Sequence, residues 1–207
     1  MDVQSHPTSV KLLKEEIVKC PVCHENKMKV SIYQYDMPLM GPVIVVVGKC
    51  ESCGYKFVDI KTVESKGRQE IVFKVDKEED LNTLVLRSST ASLEIPELEA
   101  EIAPGPVSQG FLTTVEGVLQ RFKDILNFLC KDARDEKEKK ECEERLKRLE
   151  EMLSGKREFT IIIRDPEGYS KIASEKAQEK IEKGDDVIAP YANDERTARG
   201  GASGDEK

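Results

Sequence analysis

The stretch "CPVCHENKMK" (Cys20–Lys29) and its counterpart "CESCGYKFVD" (Cys50–Asp59) decide how this chain folds. Each places two residues between a pair of thiols, the spacing at which a tight knuckle turn aims both sulfurs and nearby backbone amides at one ion. Together the knuckles offer four ligands to a tetrahedral all-sulfur zinc site: Cys20, Cys23, Cys50 and Cys53. The 26 residues between the pairs (24–49) read as a hairpin. In it "KVSIYQY" and "VIVVVGKC" have strand composition, and "MPLMGP" between them carries Pro38, Gly41 and Pro42 to turn the chain. That hairpin returns Cys50 to the side of Cys23. The expected element is a zinc ribbon over residues 17–60 with one structural Zn2+, preceded by an N-terminal tail at 1–16. Gly54 suits the positive φ such a turn needs, and His24 takes the equivalent place less easily, as a turn residue rather than a ligand. Both pairs adjoin strands instead of opening a helix, which argues against dithiol exchange.

The chain has 207 residues, 38% of them hydrophobic, enough for one sizeable domain beside a small one. A net charge of -7 argues against broad phosphate-backbone binding, which draws on Lys and Arg. No segment approaches the roughly 20 apolar residues that span a bilayer, and the paired cysteines fit a reducing compartment. A cytoplasmic protein is expected.

Beyond the second knuckle, "FVDIKTV", "EIVFKV", "NTLVLRS", "ASLEI" and "ELEAEI" alternate in the manner of short strands. After "APGPVSQG" the spacing turns helical: Val115, Val118, Leu119, Phe122, Ile125, Leu126 and Leu129 share one stripe, and Thr113 and Glu116 have capping-box spacing. A second helix lines up Cys142, Leu146, Leu149 and Leu153, so residues 113–154 read as an antiparallel helical hairpin inserted in a β domain. Cys130 and Cys142 lie on or near these stripes and read as buried free thiols, with a disulfide or a reactive site as the alternatives. In "FTIIIRDPEGYSKI", Asp165, Pro166 and Gly168 suit a type I turn joining two antiparallel strands. The end of the chain, residues 191–207, lacks apolar periodicity and reads as a disordered tail.

Taken in order, the ribbon, "STASLEIPELEAEI", "GFLTTVEGVLQRF" and "FTIIIRDPEGYSKI" resemble the ZPR-type zinc-finger family from about Cys20 to Pro190. The resemblance implies a mainly β (α+β) fold: the four-cysteine ribbon, then a double-stranded β-helix, or jelly-roll-like, domain at 61–190 with the inserted helical hairpin. It also implies the metal role for Cys20, Cys23, Cys50 and Cys53. Eukaryotic members carry two such modules, bind translation elongation factor 1-alpha and are implicated in its folding; a single module is expected of archaeal relatives. The chain departs from the eukaryotic pattern at the hairpin tip, where Leu39, Met40, Gly41 and Pro42 replace an aromatic and an Arg-Glu pair.

Three functions follow as expectations. The leading one is a noncatalytic adaptor or folding factor for an elongation factor 1-alpha GTPase, with Leu39 and Met40 exposed at the tip and Thr113, Thr114 and Glu116 as further partner candidates. Thr113 and Glu116 also have a capping explanation, and Asp165, Pro166 and Gly168 a turn explanation. A β-barrel metalloenzyme would need several His and carboxylate ligands, yet the only histidines are His6 and His24. Nucleic-acid binding by the ribbon would draw on Lys27, Lys29, Lys49 and Lys56 with Tyr33, Tyr35, Tyr55 and Phe57.

Overall fold

The computed structural model describes residues 10–131 and 135–182; the expected C-terminal tail at 191–207 lies outside them. Four antiparallel strands, β1 (Val10–Val18), β2 (Met28–Met37), β3 (Gly41–Cys50) and β4 (Lys56–Thr62), lie side by side in chain order. The β2–β3 register runs from Met28↔Cys50 to Met37↔Gly41, so the hairpin does return the second cysteine pair to the first. The expected tail gives way at Val10. β1 pairs along β2 from Val10↔Tyr35 to Val18↔Met28, with a bulge between Leu12 and Lys14. Most of its side chains are exposed, so backbone pairing orders this strand and hydrophobic burial contributes little.

The second layer system holds β5 (Arg68–Val75), β6 (Leu84–Arg87), β7 (Ser92–Ile95), β8 (Ala100–Ile102), β9 (Phe111–Thr114), β10 (Phe159–Asp165), β11 (Lys171–Ile172) and β12 (Gln178–Glu182). They form a five-stranded sheet, β12-β5-β10-β7-β8, and a three-stranded sheet, β11-β6-β9. Strand alternation builds the core. Ile71, Phe73 and Val75 on β5 sit opposite Ile163, Ile161 and Phe159 on β10, and all six are buried. Burying each such side chain contributes about 1.5–3 kcal/mol. On the other face of the same strands, Arg164 joins Glu70 and Glu94.

Helices α1 (Val115–Cys130) and α2 (Glu136–Leu153) separate β9 from β10 as an inserted hairpin. The helix cap differs from expectation: Thr114, not Thr113, accepts from the Gly117 amide at 3.2 Å, and Thr113 belongs to β9 opposite Val85. Val115, Val118, Leu119, Phe122 and Leu126 pack on the core with Leu149 and Met152, whereas Ile125 and Leu129 are exposed. Only the base of the hairpin is therefore buried, and its far end stands clear of the sheets. There Cys130 and Cys142 form a disulfide, Cα–Cα 5.8 Å, rather than two free thiols. The two positions face each other because α2 packs against α1.

The "DPEG" turn does not close a hairpin. β10 lies in the larger sheet and β11 in the smaller one, so the turn carries the chain across the core. Its organising group is the buried Asp165 carboxylate. Oδ2 accepts from Ser88 Oγ (2.9 Å), Tyr169 N (2.9 Å), Ser170 N (2.8 Å) and Ser170 Oγ (2.6 Å). Oδ1 accepts from Thr90 Oγ1 (3.1 Å) and Glu167 N (3.0 Å). Burial pushes the acid's pKa up, but the donors, Ser170 and Ser88 foremost, outweigh it and hold the group below the ordinary carboxylate value. Its stabilisation is thus fully present above the unfolded-chain pKa of about 3.9 and is lost as pH falls through the lower folded value. Asp165→Asn turns an acceptor into a donor that faces other donors and should destabilise by about 3 kcal/mol at neutral pH. Urea unfolding of both proteins across a pH series should show that difference shrinking below about pH 4.

Candidate metal centre

Cys20 and Cys23 lie in the turn after β1, Cys50 ends β3, and Cys53 lies in the turn before β4. The two turns are built alike. The His24 amide donates to Cys20 O (3.0 Å) and the Gly54 amide to Cys50 O (3.1 Å). His24 and Gly54 both take positive φ, 61° and 76°, so the histidine adopts the left-handed conformation that glycine adopts more readily. The four sulfurs lie within 4.8 Å of one another, with Cys20–Cys53 at 3.7 Å and Cys23–Cys50 at 3.6 Å. A Zn–S bond of about 2.3 Å sets tetrahedral sulfur separations of about 3.8 Å, so the cluster fits that ion. The Val22 amide also points at Cys20 Sγ, at 3.4 Å.

The Cys50 and Cys53 thiols do not ionise independently. The Cys53 backbone amide, helped by that of Ser52, pulls Cys50 down to about 7. At Cys53 the Tyr55 amide pulls downward, but burial and the neighbouring thiols push the group up to about 12. The Cys50 thiolate is favoured and that of Cys53 opposed, the situation a divalent cation reverses. Around the sulfurs Met28 and Val30 are buried, and Val18, Val46, Tyr55 and Phe57 pack against them. A Cβ on Gly48 would lie 2.1 Å from the Phe57 ring, so only glycine lets that ring cover the site. This core is too small to hold a sheet without a crosslink.

At the opposite end of the hairpin, the ribbon docks on the jelly roll. Met40 is 2% exposed and packs with Val43 and Leu86, and Tyr35, Met37, Val45 and Ile60 meet Leu84, Leu112 and Ala173 around it. Lys171 Nζ donates to Met40 O at 2.8 Å. Alongside, Asp59 Oδ1 accepts from the Gly110 amide at 2.7 Å, and a Cβ on Gly110 would lie 2.3 Å from Ile60 O. Met40 is thus no exposed contact residue: the tip folds it inward, and Leu39 alone of that pair is exposed, at 77%.

Residues 79–194 match the family model described as the ZPR1 jelly-roll domain. An uncharacterized ZPR1-like protein of Methanocaldococcus jannaschii is 39% identical over 163 residues, 78% of this chain and 82% of that protein. Another, from Pyrococcus horikoshii, is 33% identical over 166 residues, 78% of this chain and 74% of its own length. The chain belongs to the ZPR1 family. A Schizosaccharomyces pombe relative named zinc finger chaperone zpr1 is 33% identical over 154 residues, which make up 71% of this chain and 33% of that protein. The clustered thiols, in a family with members named zinc finger proteins, support one structural Zn2+.

Within this ZPR1-family chain the segment "TTVEG" (113–117) has a local explanation. Thr114 caps α1 at the Gly117 amide, and a Cβ on Gly117 would lie 2.0 Å from Thr113 Oγ1. Glu116 is exposed in the first helical turn, where its charge complements the helix dipole. The aromatics expected of a base-stacking platform are spent on packing: Tyr55 and Phe57 at the cysteine core and Tyr35 at the junction. Lys29 is paired with Glu15 at 2.9 Å. His24 forms a knuckle rather than joining the sulfur cluster, and His6 lies outside the described residues. No helix among the described residues is long and apolar enough to cross a membrane. Two buried charged groups are not foreseen as such from the sequence: Asp165 reads there only as a turn residue, and for Arg87 the one hint is a charge at an apolar position of its strand.

Chelation of the metal, or Cys50→Ser, should abolish stoichiometric zinc measured by elemental analysis. Hydrogen exchange should then show β2 and β3 amides losing protection near the cysteines while β5 and β10 keep theirs.

Proposed function

We propose that this ZPR1-family chain is a zinc-dependent protein-interaction module, acting in the cytoplasm as an adaptor or folding factor for a translation elongation factor 1-alpha-like GTPase. In this reading Cys20, Cys23, Cys50 and Cys53 are structural ligands and the metal performs no chemistry. The observation that carries the reading is the apolar set left exposed on an otherwise braced ribbon: Val10 (61%), Leu12 (51%), Ile17 (71%) and Leu39 (77%). In this reading the exposed apolar groups, spread along the ribbon from the cysteine end (Ile17) to the tip (Leu39), offer the interaction surface, and a client that has not finished burying its own core supplies the complementary surface. The chaperone name of the fission-yeast relative agrees with this reading, as does the elongation factor binding of the eukaryotic family members that the sequence resembles.

Refolding of a denatured elongation factor 1-alpha-like GTPase, followed by recovered GTP binding, tests it. Wild type should raise the yield and co-purify with the folding client. Ile17→Asp combined with Leu39→Asp should keep zinc and fold while losing capture several-fold; unchanged capture removes the ribbon surface from the reading. No capture by the zinc-loaded wild type overturns the reading itself.

A further inference from the structure

Arg87 ends β6 opposite Phe111 and is 3% exposed. Its Nη1 donates to Ser108 Oγ (3.2 Å) and Gln109 O (3.4 Å). Its Nε and Nη2 are buried and have no hydrogen-bond partner among the described residues. Those two N–H groups form one edge of the guanidinium and point in parallel, the geometry that grips two oxygens of a carboxylate or phosphate at once. Among the described residues, the two acids nearest in its field, Asp165 and Asp59, do not fill it. Asp165 is occupied by the six donors described above, and Asp59 accepts from Ile60 N (3.0 Å), Gly110 N (2.7 Å) and Ser89 Oγ (3.2 Å). Both act on Arg87 through the field alone. Burial pulls the guanidinium below its ordinary value, Asp165 opposes that, and Arg121 adds to it.

A second cation completes the arrangement. Arg121, exposed on α1, places its guanidinium carbon 4.3 Å from the Phe111 ring centroid, while that of Arg87 lies 5.6 Å from the same centroid. Two like charges gathered on one ring repel each other, and an unpartnered donor pair in the interior carries a desolvation penalty. Both costs vanish when an oxyanion enters. The segment over Arg87 is "APGPVSQG" (103–110), with Ser108 and Gln109 resting on Nη1; Val107 in the same segment is 81% exposed.

We infer that Arg87, with Arg121 and Phe111, forms a closed receptor for an oxyanion group, a carboxylate or a phosphate, gripped side-on by Nε and Nη2 and reached by displacement of the Ser108–Gln109 segment. The receptor lies where β6, β9, α1 and the Asp59–Gly110 contact meet, so its occupant would bear on ribbon and jelly roll together. This inference is independent of the folding-factor reading.

The test is a nitrogen–proton spectrum of arginine Nε–H groups in the full zinc-loaded chain. The chain is titrated separately with sodium acetate, sodium phosphate and, at matched ionic strength, sodium chloride. The Arg87 signal is identified by its loss in Arg87→Lys or, should that variant not fold, by through-bond assignment of the wild type. A saturable shift of that signal with acetate or phosphate and none with chloride is expected. The anion with the tighter response names the carboxylate or the phosphate as the ligand group. Arg121→Gln, a surface change, should weaken the response several-fold without altering the fold. An Arg87 signal unmoved by either oxyanion, or moved equally by chloride, overturns the proposal.

Discussion

Four sulfurs held within 4.8 Å of one another are the constraint on which the ribbon depends. Without a cation, the favoured Cys50 thiolate works against ionisation of Cys53. With one, the repulsion becomes the attraction that closes a loop between β1 and β4. The surrounding core of Met28, Val30, Tyr55 and Phe57 shields the sulfurs but is too thin to replace the crosslink. Local geometry is subordinate to that need, which is why His24 accepts a backbone conformation that glycine takes in the matching knuckle.

The jelly roll depends on a different polar device. Asp165 brings together donors from the Ser88–Thr90 turn and the Tyr169–Ser170 segment, so the crossing from β10 to β11 is fixed by one carboxylate at the end of a strand. The ribbon then joins this body through apolar contacts around Met40 and through the close approach of Gly110 to β4. A glycine is required there because the two backbones meet with no space for a side chain.

Features written in local pattern were legible in the sequence. The cysteine pairs, the β2–β3 hairpin, the alternating β5 and β10 and the hairpin of helices all depend on spacing within a short window. Features set by distant partners were not. β1 hides from a hydrophobic reading because its side chains are exposed and its partner β2 orders it through the backbone. Met40 looks like a loop-tip contact until Leu86 and Lys171 are placed against it. Thr113 has the capping spacing, but the strand runs on through Thr114 and the helix starts at Val115, so the cap falls to Thr114. Ile125 and Leu129 obey the helical stripe, but the sheets end before they are covered. The disulfide of Cys130 and Cys142 required knowing how α2 folds back.

The β2–β3 hairpin is pinned at both of its extremities. Ten residues of strand at about 3.3 Å each separate Cys50 from Gly41 by roughly 30 Å, with thiols at one limit and the inserted Met40 at the other. Sliding one strand past the other by a single residue would turn each side chain to the opposite surface, pulling a sulfur out of the cluster and the methionine out of its socket together. Metal and methionine therefore act as two gauges of the same alignment, and a misregistered ribbon fails both at once.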